Sequence, residues 1–489
     1  MAKRLSELLS ELPAHQLRGT PNLEIKSLVY DSRHATASSL FVAIAGFRHD
    51  GLEFVSEAVA RGAIAIVSER RLPNLGQVTQ IIVPNAREAL AYLSWAFAEH
   101  PEKRLQLCGV TGTNGKTTIT HLLRAMLKSA GKKTGLIGTL SYEFGDEVFP
   151  ATRTTPEAPD LANLFRSMAQ RGATHCVMEV TSHALALLRV KGLPFSVAAF
   201  SNLSRDHLDL HGTLENYAQA KALLFENLES EATAVINIDD NFGAELCKRT
   251  KARVLRCSLL REAEVHATRI VTSLDGLEMD LTLPKQTWHL RSSLIGKFNA
   301  SNVLLAAGCA YASGLSEIDV QQGLERVRSI PGRMELIRAG QPFCVMVDYA
   351  HTPDALMNVL DTLRSLSFSR IRILLGAGGD RDRGKRSEMG RVVSERADEV
   401  FLTSDNPRGE DPEAIIDELE AGLLPGTLRH RNTERRAAME LALRSARPGD
   451  VVLIAGKGAE TTQEICGKKY PFDDRQIARE ILSEMGFEA

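Results

Sequence analysis

The stretch Gly109–Thr118 (Gly-Val-Thr-Gly-Thr-Asn-Gly-Lys-Thr-Thr) constrains this chain more than any other. It follows the apolar run 105–108. It precedes apolar residues spaced as one face of a helix, namely Ile119, Leu122, Leu123, Met126 and Leu127. The order of strand, glycine loop and helix is the setting that a phosphate-binding loop requires, because the N–H groups and the dipole at a helix start favour an anion.

In such a loop Lys116 would be solvent-facing and reach the terminal phosphates, and the Thr117 hydroxyl would bind Mg²⁺. The spacing is irregular, since Val110 stands where the usual pattern begins with glycine. A glycine-rich turn followed by a solvated lysine is the alternative. The agreement of strand, Gly-Lys-Thr and periodic helix favours a nucleoside triphosphate site.

Length and composition set the class of protein. The 489 residues suggest about three domains. A formal net charge of -2 gives no sign of general binding to nucleic acid or anionic membranes. The seven cysteines form no Cys-x-x-Cys pair, which is typical of free thiols in a reducing compartment. The N-terminus has an amphipathic pattern and no apolar run approaches the ~18 residues of a membrane span, so we expect a cytoplasmic protein.

The order of apolar and polar segments predicts three α/β domains, at residues 1–86, 87–332 and 333–489, with Pro331-Gly332 at the second boundary. The central domain reads as a P-loop parallel-sheet domain, because near-continuous apolar strands alternate with helical segments. A small α/β domain precedes it, and a Rossmann-like α/β domain follows. Two polar turns in the first domain, Asp31-Ser32-Arg33 and 46–51, are by themselves more typical of solvated turns than of sites.

Polar residues follow the apolar strands of the second and third domains, and ligands of parallel sheets bind beyond these carboxyl ends. Glu179 ends one strand, and its carboxylate could help Thr117 to hold Mg²⁺. The run 206–212 holds two aspartates and two histidines, which fit a metal site or a charged turn. The strand ends of the third domain carry Asp348–His351, Gly376–Arg381, Ser404–Arg408 and Gly456-Lys457-Gly458.

Five motifs, in the same order along almost the whole chain, together resemble the Mur ligase family: Gly112–Thr118, Met178–His183, Asp206–Gly212, Pro331–Arg333 and Asp348–Pro353. Two further stretches resemble the members that add diaminopimelate, namely Thr154–Asp160 and Asp405–Arg408.

The resemblance implies an ATP-dependent amide ligase of bacterial cell-wall synthesis. ATP phosphorylates the γ-carboxylate of D-glutamate in UDP-N-acetylmuramoyl-L-alanyl-D-glutamate, and the amine of meso-diaminopimelate attacks the acyl phosphate. The first domain would bind the uridine nucleotide, the second ATP and Mg²⁺, and the third the amino acid. Catalysis would rest on positioning and charge neutralisation. The expected partners are these small molecules, with no nucleic acid and no membrane span, and the expected state is a monomer.

The resemblance also assigns residues. The implied catalytic residues are Lys116, Glu179, His207 and Lys221. The implied ATP contacts are Thr111, Gly112, Thr113, Asn114, Gly115, Lys116, Thr117, Thr118, Asn299, Arg333 and Asp348. The implied contacts of the UDP-muramyl substrate are Ser32, His49, Arg153, Thr154, Thr155, Thr181 and Arg189. The implied contacts of diaminopimelate are Arg386, Asp405, Asn406, Pro407, Arg408, Gly456 and Glu460.

The implied metal ligands are Thr117 and Glu179 for a first Mg²⁺ and His207 for a second, with Lys221 as a carbamate. Carbamoylation turns a cation into an anion that supports a metal site. From the residues alone, Lys221 reads as an exposed helix lysine. Two positions depart from the family pattern: Thr181 replaces a serine, and Ala459 stands where histidine is usual.

The choice of amino acid is predicted from Arg408. meso-Diaminopimelate differs from lysine by a carboxylate at its far end, and an arginine binds a carboxylate with two parallel hydrogen bonds. Arg386 matches a second family position near this substrate, although a solvated basic loop is its alternative. The alternative functions are a lysine-adding Mur ligase, a folylpolyglutamate synthetase-like ligase, and a nucleotide-dependent switch that makes no amide bond.

Overall fold

The computed structural model describes residues 2–46, 49–73, 75–284 and 286–487. By its internal contacts the chain divides into two compact units. The first unit holds residues 1–109, 132–197 and 227–232, and the second holds 110–131, 198–226 and 233–489. Two of the points where the chain passes from one unit to the other lie within the strands Gln106–Thr111 and Phe195–Phe200.

The N-terminal part of the first unit is a five-stranded sheet. Its spatial order is Gln16–Arg18, Thr79–Ile82, Ala63–Ser68, Ser39–Val42 and Ser27–Val29. The first pair is antiparallel and the others are parallel. The helices are Leu5–Leu9, Val55–Ala60 and Ala86–Phe97, and the short 3-10 turns are Ser32–His34, Gly51–Phe54 and Pro101–Arg104. A small strand pair joins Lys3–Arg4 to Glu24–Ile25.

The remainder of the first unit contributes strands in the spatial order Glu147–Pro150, Ser141–Phe144, Thr134–Ile137 and His175–Glu179. The last pair is parallel, as predicted, but the first three strands form an antiparallel edge that the sequence pattern did not reveal. Helices Ala158–Gln170 and Ser182–Ala186 accompany these strands. The buried strand His175–Glu179 delivers Glu179 to its carboxyl end.

The second unit begins with the helix Lys116–Ser129, which buries the five predicted apolar residues. Its first five neighbouring strands have the order Thr233–Asn237, Arg253–Ser258, Val265–Ser273, Gly276–Leu283 and Gln286–Ser292. The last three strands form an antiparallel meander that was not predicted. The helices of this part are Leu208–His211, Leu214–Glu226, Asn241–Leu246, Lys297–Ala312 and Glu317–Glu325.

The C-terminal part of the second unit is a six-stranded sheet in the order Glu335–Leu336, Cys344–Asp348, Val451–Ala455, Ile371–Leu375, Glu399–Leu402 and Arg429–Arg431. All pairs except the first are parallel. The helices are Pro353–Ser365, Gly384–Arg396, Pro412–Glu420, Arg435–Ser445 and Asp474–Glu484. A hairpin pairs Thr462–Ile465 with Lys468–Pro471.

Apolar clusters cover both faces of this C-terminal sheet, which explains why its strands are apolar throughout. Because the strands are parallel, their carboxyl ends and the loops after Asp348, Leu375, Leu402 and Ala455 share one edge. No helix within the described ranges combines the length and the apolar character of a membrane span.

Candidate functional site

The glycine loop before the helix Lys116–Ser129 is held in one conformation by residues around it. The Thr113 N–H donates to the Asn202 carbonyl at 2.8 Å, and the Asn114 N–H donates to Asn202 Oδ1 at 2.9 Å. A Cβ on Gly112 would lie 1.9 Å from Ser201 Oγ, and one on Gly115 would lie 2.3 Å from Asn302 Oδ1. Both residues also have positive φ angles, which glycine adopts without strain, so both positions favour glycine.

Lys116 is half-buried rather than solvent-facing, which corrects the sequence-based expectation. Its Nζ donates to the carbonyls of Gly112 and Thr113, both at 2.9 Å, so the side chain folds back across the loop. The first N–H groups of a helix have no acceptor within the helix. Together with the Lys116 ammonium they form a surface that suits the oxygens of a polyphosphate.

Residues from the C-terminal part of the same unit contact this loop. Arg333 Nη2 donates to Thr117 Oγ1 at 3.1 Å, and the Arg333 guanidinium lies 4.4 Å from the centre of the Tyr349 ring. Asp354 Oδ2 accepts from Asn114 Nδ2 at 2.8 Å and from Ser204 Oγ at 3.2 Å. The loop and the motifs at 333 and 348–354 therefore form one constellation.

The other predicted nucleotide residues lie around the same loop or brace it. Asn299 Oδ1 accepts from Asn302 Nδ2 at 2.9 Å, and Asn302 packs against Gly115. Asp348 accepts from the backbone N–H groups of Met334 and Ala350 at 2.7 and 2.8 Å. Burial raises the pKa of this carboxyl, and the positive charge of Arg333 opposes that shift. Thr111 and Thr118 are buried in the strand and the helix on either side of the loop.

The run 206–212 centres on Asp206, which is buried. Asp206 accepts from Lys385 Nζ at 3.0 Å, and its other oxygen lies 3.3 Å from His207 Nε2 and 3.6 Å from His351 Nε2. Burial alone would raise the pKa of Asp206, but the hydrogen bond with His351 and the charges of His207, His351 and Lys385 hold it well below its usual range. Asp206 is therefore not part of a solvent-exposed turn, whereas metal binding by His207 stays a prediction.

Lys221 lies in the helix Leu214–Glu226, as predicted, but it is fully buried, so the reading as an exposed lysine was wrong. Its Nζ lies 4.3 Å from the centre of the Tyr217 ring. The Tyr217 hydroxyl is 3.2 Å from Thr113 Oγ1 in the glycine loop. Burial and the nearby charge of Lys116 lower the pKa of the Lys221 amine well below its usual value, against the opposing effect of Asp206.

The donors available to a metal are those that Mg²⁺ prefers. Among the described residues, no group of three or more His, Cys, Asp or Glu side chains could hold a metal by itself. Mg²⁺ usually binds through one or two carboxylates together with substrate phosphates and water. A hydroxyl at Thr117, next to a loop suited to phosphate, fits that mode. Glu179, buried in the first unit, accepts from the Thr139 N–H at 2.8 Å.

The predicted contacts of the UDP-muramyl substrate lie in the first unit, and four of them are joined to one another or to Glu179. Thr155 Oγ1 donates to the Glu179 carbonyl at 2.8 Å and lies 3.3 Å from Thr181 Oγ1. Arg189 Nη1 donates to the Thr155 carbonyl at 3.1 Å. Thr154 Oγ1 lies 3.1 Å from the hydroxyl of Thr139, which donates to Glu179.

Three guanidiniums surround the buried Glu157 carboxylate in this unit. Arg189 Nε lies 2.8 Å away, Arg153 Nη1 3.2 Å and Arg87 Nη1 3.8 Å. One carboxylate against three arginines leaves an excess of positive charge, which suits an anionic substrate. Arg87 was not predicted, because nothing in its helical context distinguishes it from a surface residue.

The two predicted residues for the uridine end have different surroundings. Ser32 is buried in the 3-10 turn Ser32–His34, and its hydroxyl donates to Glu57 at 2.7 Å, so it is not part of a solvated turn. His49 is exposed, 3.6 Å from Glu53. Phe47 and Arg48 of the same predicted turn lie outside the described residues.

The predicted diaminopimelate contacts converge at the carboxyl edge of the C-terminal sheet. Asn406 Nδ2 donates to Glu460 Oε2 at 2.8 Å. Arg408 has a left-handed φ of 50° and pairs through its backbone with Glu464 and Cys466. Its Nη1 donates to the Gly379 carbonyl at 2.7 Å. Asp405 and Pro407 flank Asn406, and the Gly456 N–H donates to the Asp348 carbonyl at 3.1 Å.

Arg386 lies in the helix Gly384–Arg396 and is buried, so the alternative of a solvated basic loop was wrong. Its Nη1 donates to Glu410 at 2.9 Å and to Glu418 at 2.8 Å, and its Nη2 donates to Glu410 at 2.8 Å and to the Gly378 carbonyl at 3.1 Å. These bonds hold the loop at 378 and the helix Pro412–Glu420 together. Contact between Arg386 and diaminopimelate stays a prediction.

Comparisons with known proteins identify the family domains along the chain. Three family domains match in order: the catalytic domain of the Mur ligase family at 24–98, the Mur ligase middle domain at 110–310, and the Mur ligase glutamate ligase domain at 332–458. UDP-N-acetylmuramoyl-L-alanyl-D-glutamate–2,6-diaminopimelate ligase of Solibacter usitatus is 43% identical over 488 residues, 99% of each chain.

Two solved structures extend the comparison. A diaminopimelate ligase of the same description has a TM-score of 0.70 and 34% identity, covering 99% of this chain and 100% of that one. Folylpolyglutamate synthase of Mycobacterium tuberculosis, complexed with ADP and AMPPCP, has a TM-score of 0.63 and 20% identity. It covers 76% of this chain and 92% of that one, and this likeness concerns the fold alone. The chain, with its three-domain α/β fold, belongs to the Mur ligase family.

Proposed function

We propose that this protein is an ATP-dependent ligase that joins meso-2,6-diaminopimelate to the D-glutamate γ-carboxylate of UDP-N-acetylmuramoyl-L-alanyl-D-glutamate. The observation that carries the proposal is the constellation of the second unit. There the glycine loop is bonded to Arg333 and Asp354, and the strand ends of the same unit present Asn406, Arg408 and Glu460. The residues proposed to bind the nucleotide and those proposed to recognise the amino acid therefore belong to the same unit.

The proposed role of each residue follows from the chemistry of its side chain. Lys116 and the first N–H groups of the helix Lys116–Ser129 bind and orient the phosphates of ATP and neutralise the charge that develops on the transferred group. A Mg²⁺ ion, for which Thr117 and Glu179 are the predicted ligands and His207 the ligand of a second, would add positive charge at the phosphate oxygens. Asp405–Arg408 and Glu460 orient the amino acid so that its amine attacks the acyl phosphate.

Lys221 supports a metal site in this proposal once it carries a carbamate. Its complete burial beside an aromatic ring removes the exposed-surface reading. A buried ammonium is costly unless a partner compensates its charge, and among the described residues no carboxylate forms an ion pair with Lys221. A carbamate replaces that cation by an anion that can bind a cation.

We also propose that the domains span residues 1–86, 87–332 and 333–489 and that the protein is a cytoplasmic monomer. All seven cysteines lie among the described residues, and none of them forms a disulfide there. The match to the Mur ligase middle domain ends at residue 310, and the match to the glutamate ligase domain begins at residue 332.

Release of ADP with UDP-N-acetylmuramoyl-L-alanyl-D-glutamate against a panel of amino acids tests the proposal. We expect release that depends on meso-diaminopimelate and formation of the tripeptide product. Equal release with L-lysine would instead favour the lysine-adding alternative, and turnover of a folate substrate with glutamate would favour the folylpolyglutamate alternative. Nucleotide hydrolysis that no amino acid changes would favour the switch.

A further inference from the structure

Lys457 contacts two residues of the proposed amino-acid site, Asn406 and Glu460, and is not itself among the proposed substrate contacts. It follows the buried strand Val451–Ala455 and Gly456, and its side chain is 0% exposed. A lysine is rarely buried to this degree unless partners satisfy its charge and its donors. The contacts of the Lys457 ammonium therefore identify what it does.

Three acceptors surround the ammonium. Lys457 Nζ donates to the Thr462 carbonyl at 2.8 Å, to Glu460 Oε2 at 3.1 Å and to Asn406 Oδ1 at 3.2 Å. An ammonium has three N–H donors, so these contacts use all of them. Lys457 consequently has no donor left for a ligand and acts through the residues that it binds.

The first consequence is the orientation of the Asn406 amide. Lysine can only donate, so the atom of Asn406 that faces Lys457 has to be the oxygen. The Glu464 N–H donates to the same oxygen at 2.9 Å. The Asn406 amide nitrogen is thereby turned toward Glu460 Oε2, 2.8 Å away.

The second consequence is the presentation of Glu460. Its Oε2 accepts from both Lys457 and Asn406, whereas the Glu460 side chain as a whole is 36% exposed. No hydrogen bond from the part of the chain that the structure describes reaches Glu460 Oε1. One oxygen is anchored in the interior, and the other is available at the site.

We infer that Lys457 is a positioning residue for the incoming amino acid. It anchors Glu460 Oε2 and Asn406 Oδ1, so that Glu460 Oε1 accepts from a substrate ammonium and the second Asn406 N–H donates to a substrate carboxylate. Without Lys457, Glu460 Oε2 would keep only the Asn406 amide as a donor, and the Thr462 carbonyl would lose the Lys457 donor. This inference rests on the proposed function, since it concerns the same amino-acid site.

Lys457→Met tests the inference, because methionine fills a similar volume without charge or donors. Its matched control is Lys469→Met, at an exposed lysine of the neighbouring hairpin. We expect Lys457→Met to raise the KM for meso-diaminopimelate at least about 10-fold, the scale of one lost interaction with a charged group. The KM values for ATP and for the UDP-muramyl substrate should stay within about twofold, and Lys469→Met should change none of them.

A purely structural role predicts a different result, in which the three KM values rise together or only the thermal stability falls, and either result would overturn the inference. Failure of the unmutated protein to use meso-diaminopimelate counts against the proposed function instead. A normal unmutated enzyme with an unchanged diaminopimelate KM in Lys457→Met counts against Lys457 alone.

A double-mutant cycle covers the case in which Lys457→Met folds poorly. Lys457→Gln, which keeps N–H donors, is combined with Glu460→Gln, and binding of meso-diaminopimelate is measured by calorimetry. If Lys457 acts through Glu460, the fold increase in the dissociation constant that Lys457→Gln causes should be less than half as large in the Glu460→Gln background. Independent, multiplicative effects would overturn the inference.

Discussion

At the scale of single residues, the charged side chains with proposed catalytic or binding roles make hydrogen bonds and packing contacts that the sequence pattern does not reveal. Lys116 bonds two carbonyls of its own loop, Lys221 is buried against Tyr217, and Arg408 holds the Gly379 carbonyl. Each side chain therefore has a structural contact beside its proposed catalytic or binding role. Variants at these positions need a measurement of folding next to the measurement of activity.

Lys116→Ala should abolish ADP release, with a loss of about 10³-fold or more in kcat, because it removes a preorganised positive charge from the transferred phosphoryl group. The two lost hydrogen bonds to the loop should lower the free energy of unfolding by only about 1–3 kcal/mol. Lys128→Ala, at an exposed lysine in the last turn of the same helix, is the control. A folded Lys116→Ala protein with near-normal turnover would contradict the proposed role of the loop.

Lys221→Ala should be inactive and partly rescued by acetate, which supplies the anion that the carbamate would have provided. A carbamate signal from ¹³C-labelled bicarbonate should appear in the unmutated protein and be absent from the variant. Lys248→Ala, at an exposed lysine of the same unit, should keep both activity and signal. An active Lys221→Ala enzyme would show that no carbamate is needed at this position.

Arg408 should decide between meso-diaminopimelate and lysine. A site built to pair a polar group of its substrate can reject the analogue that lacks it by about 10⁴-fold. We expect that order of preference from the unmutated enzyme, and Arg408→Ala should lose most of it through a raised KM for diaminopimelate. Arg429→Ala, which removes an exposed arginine paired with Glu420, should leave the preference unchanged. The same preference in Arg408→Ala would place recognition of the second carboxylate elsewhere.

At the scale of secondary-structure elements, Arg435 connects two of the strand ends that carry the proposed amino-acid site. Its Nη1 donates to the Ser404 carbonyl at 3.3 Å, and its Nη2 donates to the Ala455 carbonyl at 3.0 Å. Asp474, at the start of the last helix, accepts from Arg435 Nε at 2.8 Å and Nη2 at 2.7 Å. The buried ion pair of Arg435 and Asp474 thus holds the loops after Leu402 and Ala455 in place.

Arg435→Met should lower the free energy of unfolding by about 3–5 kcal/mol, because it leaves the fully buried Asp474 carboxylate without a counter-charge. Arg436→Met provides a matched control one residue away, since Arg436 makes exposed ion pairs with Glu480 and Glu484. That change should cost about 0–1 kcal/mol. Urea denaturation of the two variants measures the difference, and equal small losses would show that the buried pair does not hold the strand ends.

At the scale of the whole molecule, the predicted site residues divide between the two compact units. The predicted UDP-muramyl contacts and Glu179 belong to the first unit, whereas the predicted contacts of ATP and diaminopimelate belong to the second. Binding of each substrate should therefore depend on different parts of the chain.

Arg189→Met should raise the KM for the UDP-muramyl substrate about 10-fold or more, because it removes a guanidinium and leaves the buried Glu157 carboxylate with weaker compensation. The KM values for ATP and diaminopimelate should change less than about twofold. Arg171→Met, at an exposed arginine of the same unit that pairs with Glu147, serves as the control. An equal rise in all three KM values would show that Arg189 acts on folding rather than on one substrate.

The sequence by itself determined the elements and the chemistry that lies within short stretches. Strand, glycine loop and helix around Lys116 were recognised because hydrophobic periodicity and glycine placement are local properties. The family was recognised for the same reason, since each of its motifs is contiguous. The antiparallel meander formed by the strands Val265–Ser273, Gly276–Leu283 and Gln286–Ser292 was missed, because these strands alternate only partly between apolar and polar residues.

Only the tertiary structure decided which distant residues meet and which side chains are buried. Asp354 reaches Asn114 across 240 positions of sequence, and Lys385 reaches Asp206 across 179. Lys457 and Arg435 carry no local signal, because a buried cation is identified by acceptors that come from other strands and helices. Local patterns specify elements, whereas burial and charge pairing depend on how those elements pack.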